Sequence, residues 1–273
     1  MSVLIVIRQE LVLALRNYWV VGATVLLAMF ALALGFLGAG QGAQFGVDVL
    51  SLTAASLSTL SVYLVPLIAL LMSYDGIAGE IERGTLALTM ATPIRRETLF
   101  LAKFLAQTIA VGGAIIFGFG AAGLAVGLAF GFEPEGLVAW GRLVAASVAL
   151  GAVFVGTGLT LSAYATRVTT AAVFAIGTWL VLVVLYDLAL LGAVIAAGDS
   201  LFTRDVFPWL VLANPADAFR IFNLAALDAA PVAGLDGLAR TLPFPASFTL
   251  AVIAAWIAVA LGLGLGRIRR IIL

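Results

Sequence analysis

The sequence has no cysteine, no histidine and a single lysine, Lys103. Without cysteine there is no disulfide, no thiolate nucleophile and no soft sulfur ligand. Without histidine there is no imidazole to carry protons near neutral pH. The four methionines, Met1, Met29, Met72 and Met90, show no clustered spacing, so no metal site is expected from this chain. The phosphate-binding pattern G-x-x-x-x-G-K-[ST] is also missing, because Lys103 follows "LFLA" and not a glycine loop. The chain is therefore not expected to hydrolyse ATP itself. Charge is scarce as well: charged residues make up 10%, and 14 basic side chains balance 14 acidic ones. Such a balance gives no general attraction to nucleic acid.

What remains is apolar. Hydrophobic residues make up 64% of the 273, and the mean hydropathy is +1.21. Charge-free runs cover Asn17–Val47, Val49–Tyr74, Phe104–Phe132, Leu143–Thr166, Val168–Tyr186 (continuing past Asp187 to Gly198) and Thr241–Gly266. About 20 apolar residues carry a helix across the hydrocarbon. The expectation is an all-α membrane protein forming one domain over residues 1–273, with six spans at about 18–38, 52–72, 104–131, 143–166, 168–198 and 248–266. With both termini inside, the inner segments hold ten of the 14 Lys and Arg residues and the outer ones four, which favours cytoplasmic termini.

Between the spans lie segments of different character. "MSVLIVIRQELVLALRN" lacks the basic start of a signal peptide. As a helix it places Ser2, Gln9 and Arg16 on a polar stripe opposite Val3, Leu4, Ile7, Leu11 and Leu15, suiting an amphipathic helix in the plane of the inner surface. An ordinary extension of the first span is the other reading. Span two carries Ser51, Thr53, Ser56, Ser58, Thr59 and Ser61 on its outer half and Pro66 on its inner half. Its hydroxyls either back-bond and pack or line a pathway. In span three, Gly118-x-Gly-x-x-Gly123 has the form of a dinucleotide fingerprint but lacks its strand–turn–helix setting. Gly123, Gly127 and Gly131 instead form a small-residue stripe that lets another helix approach. Residues 199–245 read as one or two amphipathic helices on the outer surface, one of them starting at Asn214-Pro215 with Asp217 in its first turn.

Two charges fall within the spans or at their edge. Asp187 lies past the middle of span five, and Arg142 opens span four on the outer side. Either they serve function, or Asp187 fixes packing by pairing with Arg142 or with hydroxyls of span two. The densest charge lies elsewhere. "SYDGIAGEIERGTLALTMATPIRRETLFLAKF", Ser73 to Phe104, holds eight of the 28 charges between two apolar runs. Its order, acids, then Gly84-Thr85, then an apolar alternation, suggests a short helix, a turn near Thr92-Pro93 and a helical restart at Pro93. Such a segment is longer than a passive loop requires, and it reads either as an ordinary solvated loop or as a surface on which a soluble partner can dock.

This segment resembles the inner-loop signature of ABC-2-type permeases, the membrane subunits of one class of ABC transporter; Glu80, Glu82, Arg83, Gly84, Thr85, Leu86 and Pro93 carry the match. The resemblance implies six spans, a coupling helix between spans two and three that sits on a cytoplasmic ATPase subunit, and pairing with a second copy of the chain. ATP and Mg would then be bound by the ATPase, with no cofactor in this chain. A narrower resemblance, carried by "VPLIALLMSYD" (Val65–Asp75), "VLYDLALLG" (Val184–Gly192) and "NPADAFR" (Asn214–Arg220), is to members that serve maturation of nitrous oxide reductase, a copper enzyme. For those it implies a bacterial inner-membrane location and a periplasmic β-helical partner. Asp187, Arg142, Asn214 and Asp217 are the candidate functional residues in or beyond the membrane. An exporter of lipid or drug-like compounds and a membrane scaffold for soluble maturation factors are the competing functions.

Overall fold

The computed structural model describes residues 3–16, 18–45, 48–91, 94–198, 200–224 and 246–271. Among these the regular elements are all helical. Hydrocarbon supplies no partner for backbone N–H and C=O groups, so a spanning segment must satisfy them within itself. In chain order the helices are α1 (Val3–Leu15), α2 (Tyr18–Phe45), α3 (Val49–Ser73), α4 (Ala78–Glu82), α5 (Thr85–Met90), α6 (Arg96–Phe130) and α7 (Pro134–Tyr164). They are followed by α8 (Val168–Ala197), α9 (Phe207–Ala213), α10 (Pro215–Leu224) and α11 (Ala246–Ile268). Six helices are long and apolar enough to cross a membrane: α2, α3, α6, α7, α8 and α11.

Helices α3, α6 and α7 form the heart of the bundle, and α8 stands at its edge, with Val173, Ile176, Leu188 and Ile195 all exposed. The helix ends explain why charge-free runs misjudge the lengths. Helix α6 begins at Arg96, well ahead of Phe104, and α7 begins at Pro134, ahead of Leu143. Both keep their backbone ladder while carrying charges beyond the apolar stretch. The restart expected at Pro93 lies outside the described residues, but Arg95 is extended and α6 starts after it.

The glycine stripe of α6 has a different role from the one expected. A side chain at Gly123 would strike the Trp140 indole, and one at Gly127 the Phe132 ring, so these positions seat aromatic rings. Gly131 closes the helix with a φ of 107°. The residue that admits another helix is Gly118, where an added Cβ would lie 2.9 Å from the Thr24 carbonyl oxygen of α2. In α3, Thr53 and Ser56 donate to carbonyls one turn back, at 2.6 and 3.1 Å, in keeping with the packing reading of these hydroxyls.

Helix α10 overturns the surface placement. Asn214 accepts from the Ala216 N–H at 2.9 Å, so the helix starts where the sequence indicated. Its residues are nearly all buried, and it packs against α3, α7 and α11 instead of lying on a surface. It is enclosed because its polar face meets a charge on another helix, described below.

Candidate functional site

At one end of the bundle, four helix termini converge on the five residues of α4. The turn Tyr74–Ile77 leaves α3 and places two backbone donors, Ile77 N–H and Ala78 N–H, against the hydroxyl of Ser162 at 3.0 and 2.8 Å. Ser162 lies in the last turn of α7, so one buried oxygen caps the start of α4 and ties it to that helix. Glu82, in the last turn of α4, accepts from the N–H of Val168 at 2.8 Å. This is the first residue of α8, where a carboxylate also meets the positive end of the helix dipole. Glu80 points the other way. Its Oε1 lies 2.6 Å from Nζ of Lys103, which also holds both oxygens of Glu10 at 3.0 Å.

Lys103 is 3% exposed and projects from α6, while Glu10 comes from α1. One ammonium therefore joins α1, α4 and α6. Two carboxylates on one buried cation leave a net negative cluster, stable here because every N–H of the ammonium is engaged. Alongside it, the end of α11 is fastened to the start of α6: Arg269 pairs with Glu97 at 2.8 Å, and Arg96 donates to the Ile271 carbonyl. Arg267 sits over the Tyr164 ring, 5.2 Å from its centroid.

Beyond α4 the chain turns outward. Gly84 has a φ of 70°, a left-handed conformation that costs a residue with a Cβ roughly 1–2 kcal/mol. Arg83 lies back over Gly79, whose missing side chain leaves room for the guanidinium. Thr85 opens α5 and donates to the Glu80 carbonyl at 3.4 Å. Leu86 is 1% exposed and pegs α5 to the bundle, whereas Leu88 is 72% exposed. Of the residues singled out in the sequence, Glu82, Arg83, Gly84 and Thr85 are exposed. Glu80 and Glu82 are inward and lateral ties, Leu86 is an anchor, and Pro93 is outside the described residues.

A second cluster lies deeper in the bundle, away from α4. Asp187 is nineteen residues into α8, about 28 Å along its axis at 1.5 Å per residue. Its partner is Arg220 of α10, at 2.9 Å, and not Arg142. Arg220 also pairs with Asp217 at 3.2 Å, and the Tyr63 hydroxyl of α3 donates to Asp187 at 3.5 Å, so a span-two hydroxyl is indeed a partner. Arg142 instead stacks on Phe222, 4.5 Å from the ring centroid, and donates to its carbonyl at 3.2 Å.

The same helix contains a π-helical stretch, Leu180–Leu185, whose wider turns disturb the carbonyl ladder. The Asn214 amide donates to the Leu182 carbonyl at 2.6 Å, and the Tyr186 hydroxyl reaches the Leu210 carbonyl at 2.6 Å. Asn214, Asp217, Arg220 and Asp187 thus form one junction between α10 and α8. The sequence reading missed Glu10, Lys103, Ser162, Leu88 and Arg220 as site residues. For Lys103 a signal existed: the chain places its one lysine near the inner end of a span, shortly after the acidic residues Glu80, Glu82 and Glu97.

Among the described residues, no group of three or more acidic, cysteine or histidine side chains is placed to hold a metal ion.

Sequence comparison agrees with this architecture. Residues 4–270 match the family described as ABC-2 family transporter protein. The chain is 40% identical over 266 residues to a probable ABC transporter permease protein NosY of Pseudomonas aeruginosa, covering 96% of each chain. It is 37% identical over 266 residues to a protein of the same description from Stutzerimonas stutzeri, again with 96% of each covered.

Proposed function

Because this chain belongs to the ABC-2 transporter family, and is an ABC transporter permease of the NosY type, we propose that its α4–α5 segment is the surface through which a cytoplasmic ATPase drives it. The ATPase is a NosF-like subunit that binds ATP and Mg, and two copies of the permease pair with two copies of it. The complex resides in a bacterial inner membrane with the termini cytoplasmic, as the excess of Arg and Lys at the α4 end supports. Helix α1 then lies along the inner membrane surface. On the far side a periplasmic β-helical protein of the NosD type receives the motion or the cargo. The pathway served is assembly of the copper sites of nitrous oxide reductase.

One observation carries the reading. Helix α4 is tied to α7 by Ser162, to α8 by Glu82 and to α6 by Lys103, while the next helix turns Leu88 and Thr85 outward. A partner that grips α5 therefore moves the ends of three spanning helices at once. Helix α8 carries that movement to Asp187, and the Asp187–Arg220 pair passes it to α10. Small displacements at one end become rearrangement at the other because packed helices move as bodies.

The test is affinity purification of a tagged copy from native membranes, with the Leu88→Glu variant alongside. The wild type is expected to bring down an ATPase and a periplasmic repeat protein. Leu88→Glu, which puts a charge where an apolar contact is needed, is expected to lose most of the ATPase while its own membrane level stays normal. Full ATPase recovery with this variant refutes α5 as the docking surface.

A further inference from the structure

We infer that Lys103 is a positioning residue for the α4–α5 segment, and that α1 is a second input to that segment because Glu10 and Glu80 compete for one ammonium group. This rests on the reading of α5 as the ATPase dock. The ammonium has three N–H donors, and three carboxylate oxygens lie within reach: two of Glu10 at 3.0 Å and one of Glu80 at 2.6 Å. Glu10 is held through both oxygens. Glu80 is held through one, and its Oε2 is buried with no hydrogen-bond partner. The neighbouring Gln107, one turn further along α6, adds another buried acceptor without a donor, its Oε1. The junction is short of donors, and what one carboxylate gains the other loses.

The residue type suits such competition. Lysine presents a compact charge on a flexible stem that can follow either carboxylate, whereas the planar fork of arginine commits to one geometry. Helix α1 packs mainly along α6, so its direct electrostatic link to α4 is this shared nitrogen. When Glu10 withdraws, Lys103 turns wholly to Glu80, completes its unpaired oxygen and holds α4 harder against α6. When Glu10 engages, α4 is freer to follow the docked ATPase. The position of the N-terminal helix thereby sets how readily ATP-driven motion enters the bundle.

The experiment uses the full-length permease purified with its ATPase in lipid nanodiscs, and reads ATPase recovery, KM for ATP and turnover. Glu10→Gln removes one competitor and leaves the Lys103–Glu80 pair intact. The expected result is turnover reduced about threefold, with KM and recovery unchanged. In a Glu80→Gln background the same change is expected to have no further effect, because Glu80 no longer draws on the ammonium as an anion. Wild-type turnover in Glu10→Gln overturns the inference, as does an equal effect in both backgrounds. Loss of ATPase recovery in Glu10→Gln overturns it too, since Glu10 would then only support the fold. The Leu88→Glu control separates the two ideas: if that variant keeps its ATPase the docking reading fails, and if it loses it while Glu10→Gln changes nothing, only the competition fails.

Discussion

Two junctions of the bundle each hold one cation between two carboxylates, yet they are built differently. At the α4 end the cation is Lys103, and it joins three helices of which one has only five residues. Around the α10 helix it is Arg220, whose guanidinium spreads across Asp187 and Asp217 and joins the enclosed α10 to the edge helix α8. The first arrangement shares one ammonium among three carboxylate oxygens, and the second gives Arg220 a directed hydrogen bond to each acid. A point charge on a flexible stem tolerates rearrangement, whereas a fork in a buried frame resists it. On the proposed function, the contrast assigns adjustment to the α4 junction and a fixed geometry to the Arg220 junction.

Three substitutions test that contrast. Arg220→Met leaves Asp187 and Asp217 without their shared cation in a buried setting, and is expected to cost about 3–5 kcal/mol. Thermal unfolding of the purified subunit would show it, with poor recovery from membranes as the extreme. Ser162→Ala removes the acceptor for two backbone donors at the start of α4 and is expected to cost about 1–3 kcal/mol, less if water replaces the hydroxyl. If it costs as much as Arg220→Met in the same unfolding assay, the α4 end is as rigid as the other and the contrast collapses. Gly84→Ala is the mildest. The space around the residue is open, so only the left-handed backbone is penalised, by about 1 kcal/mol. Stability should barely move, but ATP turnover of the assembled complex should fall, because the angle between α4 and α5 is what the change disturbs. Unaltered turnover would mean that this angle does not matter.

Much of this molecule was legible in its amino acids. The six charge-free runs located the spanning helices, because the need to bury every backbone polar group in hydrocarbon acts on each segment separately. Asn214, Pro215 and Asp217 announced a helix start for an equally local reason, since capping involves only residues within one turn. The missing histidine, cysteine and phosphate loop limited the chemistry without reference to any fold. Even the α4–α5 segment was visible as charge set between two apolar runs.

The roles of individual charges were not legible, because they depend on which distant residue arrives opposite. Asp187 faces Arg220, thirty-three positions away, and not Arg142. Glu80 turns inward to Lys103 and leaves the outward face to Leu88, a residue that composition gave no reason to select. Gly123 and Gly127 accept rings from Trp140 and Phe132, while Gly118 admits a neighbouring helix. Local sequence thus determined where helices form and which of them cross the membrane. Tertiary structure decided which charges are shared and which helix ends are tied together, because burial makes each ion depend on partners that only packing brings within reach.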